Sequence, residues 1–319
     1  MCLNFRTIGI IACTLLLAGC SAGFLGLAPI GDRKEYIEAR QAYDAGNYQQ
    51  AVTDLSDYIY KTKNVKRREA RAYRLLGKSY EQLQQPSRAL EVYLEALEFH
   101  PENVPLLLEA AHLYQQNGLT MRSIEIYDRA LAQEPNNTVA LAGQAANYTA
   151  LGFYSKARTF YDRFFELSEK VTPYYRALYA DTFFHQRHYE QAFVHITLAL
   201  AEDPSNPDFW SLSAQTRRGL NQPQAALLDL EAALLLAPQR TDLLAYKALW
   251  LYEAGQYNDS LKTAKLILRQ EPAHPLARLI QALNEYKRGN HAAARKQLAQ
   301  IARENADSFI GQVAQQLVQ

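Results

Sequence analysis

Thiols are nearly missing from this chain. Its three cysteines, Cys2, Cys13 and Cys20, fall within the first 20 residues, and the 299 residues beyond them hold none. No disulfide can therefore form within the body of the protein, as suits an oxidising compartment where a stray thiol would mispair. Charge of one sign is missing too: 34 Lys and Arg face 33 Asp and Glu, for a net charge of +1. That balance lacks the signature of a polyanion binder, so nucleic acid is not the expected partner. Glycine (14) and proline (12) are sparse and no tract is of low complexity, while 48% apolar residues leave ample material for a core. Catalytic motifs are missing as well. There is no HExxH, no GxxxxGK[ST] and no GxSxG, so the expectation is a protein that is not an enzyme and needs no cofactor or small-molecule substrate.

What is there begins with an apolar N-terminus. Arg6 and the α-amino group precede TIGIIACTLLLAG, which is too short and interrupted to span a bilayer and reads as a secretory signal. The run ends Leu17-Ala18-Gly19-Cys20. This resembles the lipobox of bacterial lipoproteins. The resemblance implies a signal peptide at 1–19 and cleavage that leaves Cys20 as a lipidated first residue, carrying acyl chains such as palmitate. An ordinary signal peptide or a fortuitous apolar N-terminus is the alternative. Ser21 in place of Asp implies, by the sorting rule of enterobacteria-like lipoproteins, the outer membrane facing the periplasm. Residues 20–31 form the lipidated end and tether; Ser21 to Gly31 reach at most ~40 Å, which keeps the body of the protein close to the membrane. The tether is apolar enough to pack on the first repeat.

The remainder is periodic. Prolines recur at 101, 135, 204, 238 and 272, spaced by 34 residues or, across one imperfect unit, by 69. The stretch Ala70 to Asn103 carries Leu76-Gly77, Tyr80, Ala89, Tyr93, Ala96 and Pro101 at spacings that resemble the tetratricopeptide repeat (TPR). The resemblance implies an all-α, right-handed α-solenoid of about eight helical hairpins. The units are 32–65, 70–103, 104–137, 138–171, 173–206, 207–240, 241–274 and 275–308, an array over 32–308 with a capping helix at 309–319.

Two positions test this frame. The eighth holds Ala39, Gly77, Ala111, Ala145, Ala180, Ala214, Ala248 and Ala282. The twentieth holds Ala51, Ala89, Ser123, Ala157, Ala192, Ala226, Ser260 and Ala294. All sixteen are Ala, Gly or Ser, types that make up under a quarter of the chain. Larger side chains there would force the two helices of a hairpin apart. Tyr80, Tyr114 and Tyr148 on the first helices, and Tyr93, Tyr127 and Tyr161 on the second, are expected to fill the space beside them. Gly46, Gly118, Gly152, Gly255 and Gly289 fall between helices, where a helix end favours positive φ. The fourth unit is irregular, with Glu169 in place of proline and Phe164 at a usually small position. In the last segment Phe309, Ile310, Val313, Ala314 and Leu317 share one helical face, as a cap requires.

TPR proteins bind peptide segments in a concave groove lined by the first helices. Carried over position by position, the candidates here are Arg71, Arg74, Lys78, Leu108, His112, Tyr174, Asp181, Phe184, Gln215, Arg218, Leu249, Tyr252, Leu279, Leu283 and Tyr286. Arg71, Arg74 and Lys78 would give the groove a positive entrance, continuing the basic run Lys61, Lys63, Lys66, Arg67 and Arg68. That run reads first as a solvated inter-repeat segment and, as the alternative, as a contact for anionic headgroups or an acidic partner. The carboxylate-clamp subset of the family has Lys then Asn at positions five and nine; Arg74 and Lys78 depart from that. Leu249, Tyr252, Leu276, Leu279, Leu283 and Tyr286 form an apolar stripe that is either a binding surface or packing beneath the cap. His185, His188 and His195 are the densest titratable cluster, but they spread around a helix corner, whereas metal ligands must converge.

The resulting expectation is a lipid-anchored periplasmic scaffold that binds protein partners in the envelope, in assembly of a pilus or secretin machine or as a peptidoglycan-enzyme adaptor. The alternatives are a TPR component of exopolysaccharide export and, further off, a metal-dependent enzyme.

Overall fold

The computed structural model describes residues 34–60 and 69–318. The expected signal peptide, Cys20, the tether and the basic residues Lys61, Lys63, Lys66, Arg67 and Arg68 lie outside the described residues. Among those described there are seventeen α-helices and no strand. None of the helices is long and apolar enough to cross a membrane.

The chain divides into two compact units, residues 1–134 and 135–319. The first holds three hairpins: α1 (Lys34–Asp44) with α2 (Tyr48–Tyr60), α3 (Ala70–Gln82) with α4 (Pro86–Phe99), and α5 (Val104–Gln116) with α6 (Thr120–Gln133). The second holds five: α7 (Thr138–Ala150) with α8 (Tyr154–Leu167), α9 (Pro173–His185) with α10 (Tyr189–Glu202), α11 (Pro207–Gly219) with α12 (Pro223–Leu236), α13 (Thr241–Glu253) with α14 (Tyr257–Gln270), and α15 (Pro275–Lys287) with α16 (His291–Glu304). A last helix, α17 (Phe309–Val318), closes the chain.

Each first helix ends the same way. The backbone N–H of the repeat's fifteenth residue donates to the carbonyl three residues back, and the next N–H donates to the carbonyl five residues back. This is a Schellman closure, which needs a left-handed residue at its centre. Five of the eight are glycine, with φ from +72° at Gly118 to +89° at Gly289. The other three are Gln84, Arg187 and Asn221, with φ of +58°, +60° and +60°. At the other end, the side chains of Asn103, Asn137 and Asn206 cap α5, α7 and α11 by accepting from the amides of Leu106, Ala140 and Asp208.

Packing within each hairpin runs through the small residues. All sixteen are buried. In two hairpins the contact is a hydrogen bond: Ser123 Oγ donates to the Ala111 carbonyl at 2.8 Å and Ser260 Oγ to the Ala248 carbonyl at 2.7 Å. A hydroxyl at position twenty thus reads the backbone at position eight directly. Tyr93, Tyr127, Tyr161 and Tyr148 are buried beside these seams, whereas Tyr80 and Tyr114 are only half-buried.

First helices of neighbouring hairpins approach one another: α1 and α3, and α3 and α5, in the first unit; α7 and α9, α9 and α11, and α13 and α15 in the second. Among the described residues, second helices make no comparable approach. The hairpins therefore splay on the second-helix side, and the first helices line the inner face of each unit.

Helix α17 seals the open end of the last hairpin, packing on α15 and α16. Ala314 and Gly311 are buried against them, and Ile310, Val313 and Val318 pack over Leu298, Ile301 and Ala302. Phe309 and Leu317 do not share this face: they stay 78% and 45% exposed. Gly311 and Ala314 are the buried residues at the centre of the seat, with Ile310, Val313 and Val318 packed around them.

Candidate functional site

The inner face of α9, α11 and α13 in the second unit forms an open cavity of about 400 Å³. Its apolar wall is Ala177 and Leu178 from α9, Phe209 and Leu212 from α11, and Tyr246 from α13. Tyr174, 57% exposed, stands at the first turn of α9 and also lines it. The polar lining is Asp181, Asn206, Asp208, Ser211, Gln215, Arg240 and Asp242.

Arg240, just before α13, organises one wall. Its Nε and one terminal nitrogen donate to the two carboxylate oxygens of Asp242 at 3.0 and 2.6 Å, a fork-to-fork pair, and its other terminal nitrogen donates to Asp208. The guanidinium hydrogen bond holds the Asp242 carboxyl below the ordinary carboxylate range and pushes the Arg240 pKa up. Asp181 differs. Burial raises its pKa, and its ion-pair partner is the imidazole of His185, with Nδ1 at 3.1 Å. That ring stacks on Tyr154, centroids 4.3 Å apart. A second hollow, of about 480 Å³, lies between α12, α13 and α14 and is lined by Glu231, Lys247, Asp259 and Lys262 among others.

A profile for the tetratricopeptide repeat family matches residues 36–104 and 247–308. Among solved structures, the chain is similar to a tetratricopeptide repeat protein from Parabacteroides merdae, with a TM-score of 0.57 and 18% identity over 78% of this chain and 97% of that one. It is also similar to a chain of the APC/C hetero-tetramer Cut9–Hcn1, with a TM-score of 0.61 and 12% identity over 89% of this chain and 55% of the other. The fold is a TPR solenoid. Among curated sequences, human RANBP2-like and GRIP domain-containing protein 8 is 32% identical over 102 residues, which are 31% of this chain and 6% of that protein. The match thus spans a small part of the relative's length.

Of the expected TPR groove residues, the structure brings Tyr174, Asp181 and Gln215 around the α9–α11–α13 cavity. Phe184 stands edge-on to the His185 ring on the same helix. Arg218 pairs with Glu253 and lies over the Trp250 ring. Leu249 is half-buried against the core of α11–α15, and Tyr252 packs edge-on to Tyr257.

In the first unit, Arg74 and Lys78 on α3 both reach Glu109 on α5, at 3.1 Å each. Arg71 is held by Glu69 at 2.6 Å and covers the Tyr36 ring. Each cation of the expected positive entrance is thus ion-paired, the three of them sharing two glutamates, Glu69 and Glu109. His112 is exposed and bonds Gln116, and Leu108 is half-buried. At the other end, Leu279 is 6% exposed and Leu283 packs with it under α17, so neither lines an open groove. The stripe there is packing beneath the cap; Tyr286 remains at the surface, against His291.

The three histidines go separate ways. His185 belongs to Asp181 and Tyr154, while His195 sits among Phe165, Tyr179 and Phe183. His188 is the N-cap residue of α10. Among the described residues no group of three or more His, Cys, Asp or Glu is placed to hold a metal ion.

Several cavity residues escape a reading of the sequence alone. Asp208 and Asp242 stand at the repeat's second position and Ser211 at its fifth, the places that supplied Tyr174 and Arg74, so the frame itself could have found them. Leu178, Leu212 and Tyr246 all stand at the sixth position, which the frame does not mark.

Proposed function

We propose that this chain is a lipid-anchored protein-interaction scaffold of the bacterial envelope. It holds extended or helical segments of partner proteins on the first-helix face of its TPR hairpins. Its role is in assembly of an envelope machine, of the pilus or secretin kind or one that recruits peptidoglycan enzymes. The observation that carries the binding role is the α9–α11–α13 cavity, where aromatic, apolar and polar side chains of three successive repeats converge on a hollow large enough for several residues of a peptide. The anchor rests on Leu17-Ala18-Gly19-Cys20 and on the lack of any later thiol. A lipid at Cys20 would raise the scaffold's effective concentration next to membrane-bound partners.

A photo-crosslinking residue placed at Gln215, and at Leu235 as a control on α12, tests the binding face in intact cells. Leu235 is 85% exposed on a second helix. Discrete crosslinked partners at position 215 and not at 235 are expected; equal labelling at both would remove the argument. Radiolabelled palmitate should enter the wild-type chain and not the Cys20→Ala variant, and label retained in the variant refutes the anchor.

A further inference from the structure

We infer that the segment seated in the α9–α11–α13 cavity presents a cationic side chain, lysine or arginine, to Asp181. This rests on the reading of that cavity as a peptide site, and adds what the peptide must carry.

The lining holds three carboxylates, Asp181, Asp208 and Asp242, against a single guanidinium. Arg240 is committed to the other two, through the fork to Asp242 and the bond to Asp208. Asp181 is left with His185, a partner that carries charge only when its ring is protonated. Its carboxylate is partly removed from water, so a second cation arriving there replaces lost solvation. The walls suit the stem of such a side chain. Leu178 and Leu212 offer apolar surface for methylenes, and the exposed Tyr174 ring offers a face to an ammonium or guanidinium. An acidic segment would meet like charge and no free cation among the lining residues. The charge preference is thus the reverse of a carboxylate clamp, and repulsion excludes the wrong ligand as much as attraction selects the right one.

The test is selection from a randomised nonapeptide library displayed on messenger RNA, with the full chain held in detergent through its C-terminal end. Retained peptides should be enriched in Lys and Arg over Asp and Glu by about fivefold, a ratio expected for one partly buried charge pair, and retention should fall as salt is raised. Asp181→Asn should abolish the enrichment while helicity is unchanged. Asp208→Asn, which releases Arg240 from one of its carboxylates, should shift the selection toward acidic peptides. Peptides retained with no basic preference, or a preference that survives Asp181→Asn, overturn this inference and leave the peptide-site reading standing. Retention no better than on bare resin overturns both.

Discussion

Gly77 lies beneath the ring of Tyr93: a Cβ on the glycine would stand 2.2 Å from Tyr93 Cε1 and 2.4 Å from Cζ. The ring has no way to retreat, because it is fully buried and its hydroxyl donates to Glu81 at 2.5 Å. Gly77→Ala should gain ~1 kcal/mol of helix propensity and lose more to overpacking, about 1–3 kcal/mol or beyond. Urea unfolding should show a lower midpoint. Adding Tyr93→Leu should cost less than the sum of the two single changes, since the clash is shared. An unchanged midpoint in Gly77→Ala would mean the seam is not tight.

Left-handed backbone is tolerated by glycine and resisted by other residues at about 1–2 kcal/mol. Arg187 adopts it at φ +60°, with an exposed side chain, where five sister hairpins use glycine. Arg187→Gly should therefore stabilise the protein by about 0.5–1 kcal/mol, after the entropy glycine loses on folding. A rise in thermal midpoint checks this, and a fall would show that the arginine side chain contributes more than its backbone costs.

His195 gives the second unit a sensitivity to acid. Its ring lies parallel to Phe183 at 5.6 Å, and Nδ1 is buried without a hydrogen-bond partner among the described residues. Burial, and then the nearby Arg176, push its pKa below the ordinary 6.5, with Asp162 opposing. Between pH 6.5 and that lower folded value, the unfolded chain holds more protons than the folded one. Stability contributed by the neutral ring is thus complete above pH 6.5 and is lost as pH falls through the window. Urea midpoints at pH 7.5, 6 and 5 should fall less steeply for His195→Phe than for the wild type. Equal slopes would acquit His195.

The cap depends on one glycine. A Cβ at Gly311 would stand 1.9 Å from the carbonyl oxygen of Asn305, a backbone atom that cannot swing aside. Gly311→Ala should dislodge α17 and uncover Leu279, Leu298 and Ile301, at a cost above the ~1–3 kcal/mol of ordinary overpacking. Faster proteolysis after residue 304 and increased binding of a hydrophobic dye are the expected readouts. Wild-type protease resistance would show that the corner adjusts.

Much of the architecture is legible in the chain because it is repeated. Sixteen small residues at two positions mark eight helix–helix seams, and the seams are where the structure has them. Five glycines likewise announce their turns. Asn221 does so weakly, as a residue type that tolerates the left-handed region. Gln84 and Arg187 do not, since nothing in those side chains signals positive φ, and the hydrogen-bonded closure around them imposes it. The candidate site is less legible. Tyr174, Asp181 and Gln215 come from the frame, while Leu279 and Leu283, chosen by the same rule, are covered by a helix the rule does not count.

Taken alone, the order of residues determined the fold class, the period and the seams, because each depends on side-chain size at short, fixed spacing. Tertiary structure alone decided which first-helix residues stay open and which charges are spent. Arg74 meets Glu109, and Arg218 meets Glu253, each across 35 residues. Such pairs form only when one hairpin is laid on the next, and that juxtaposition leaves Asp181 facing the cavity with an imidazole for company.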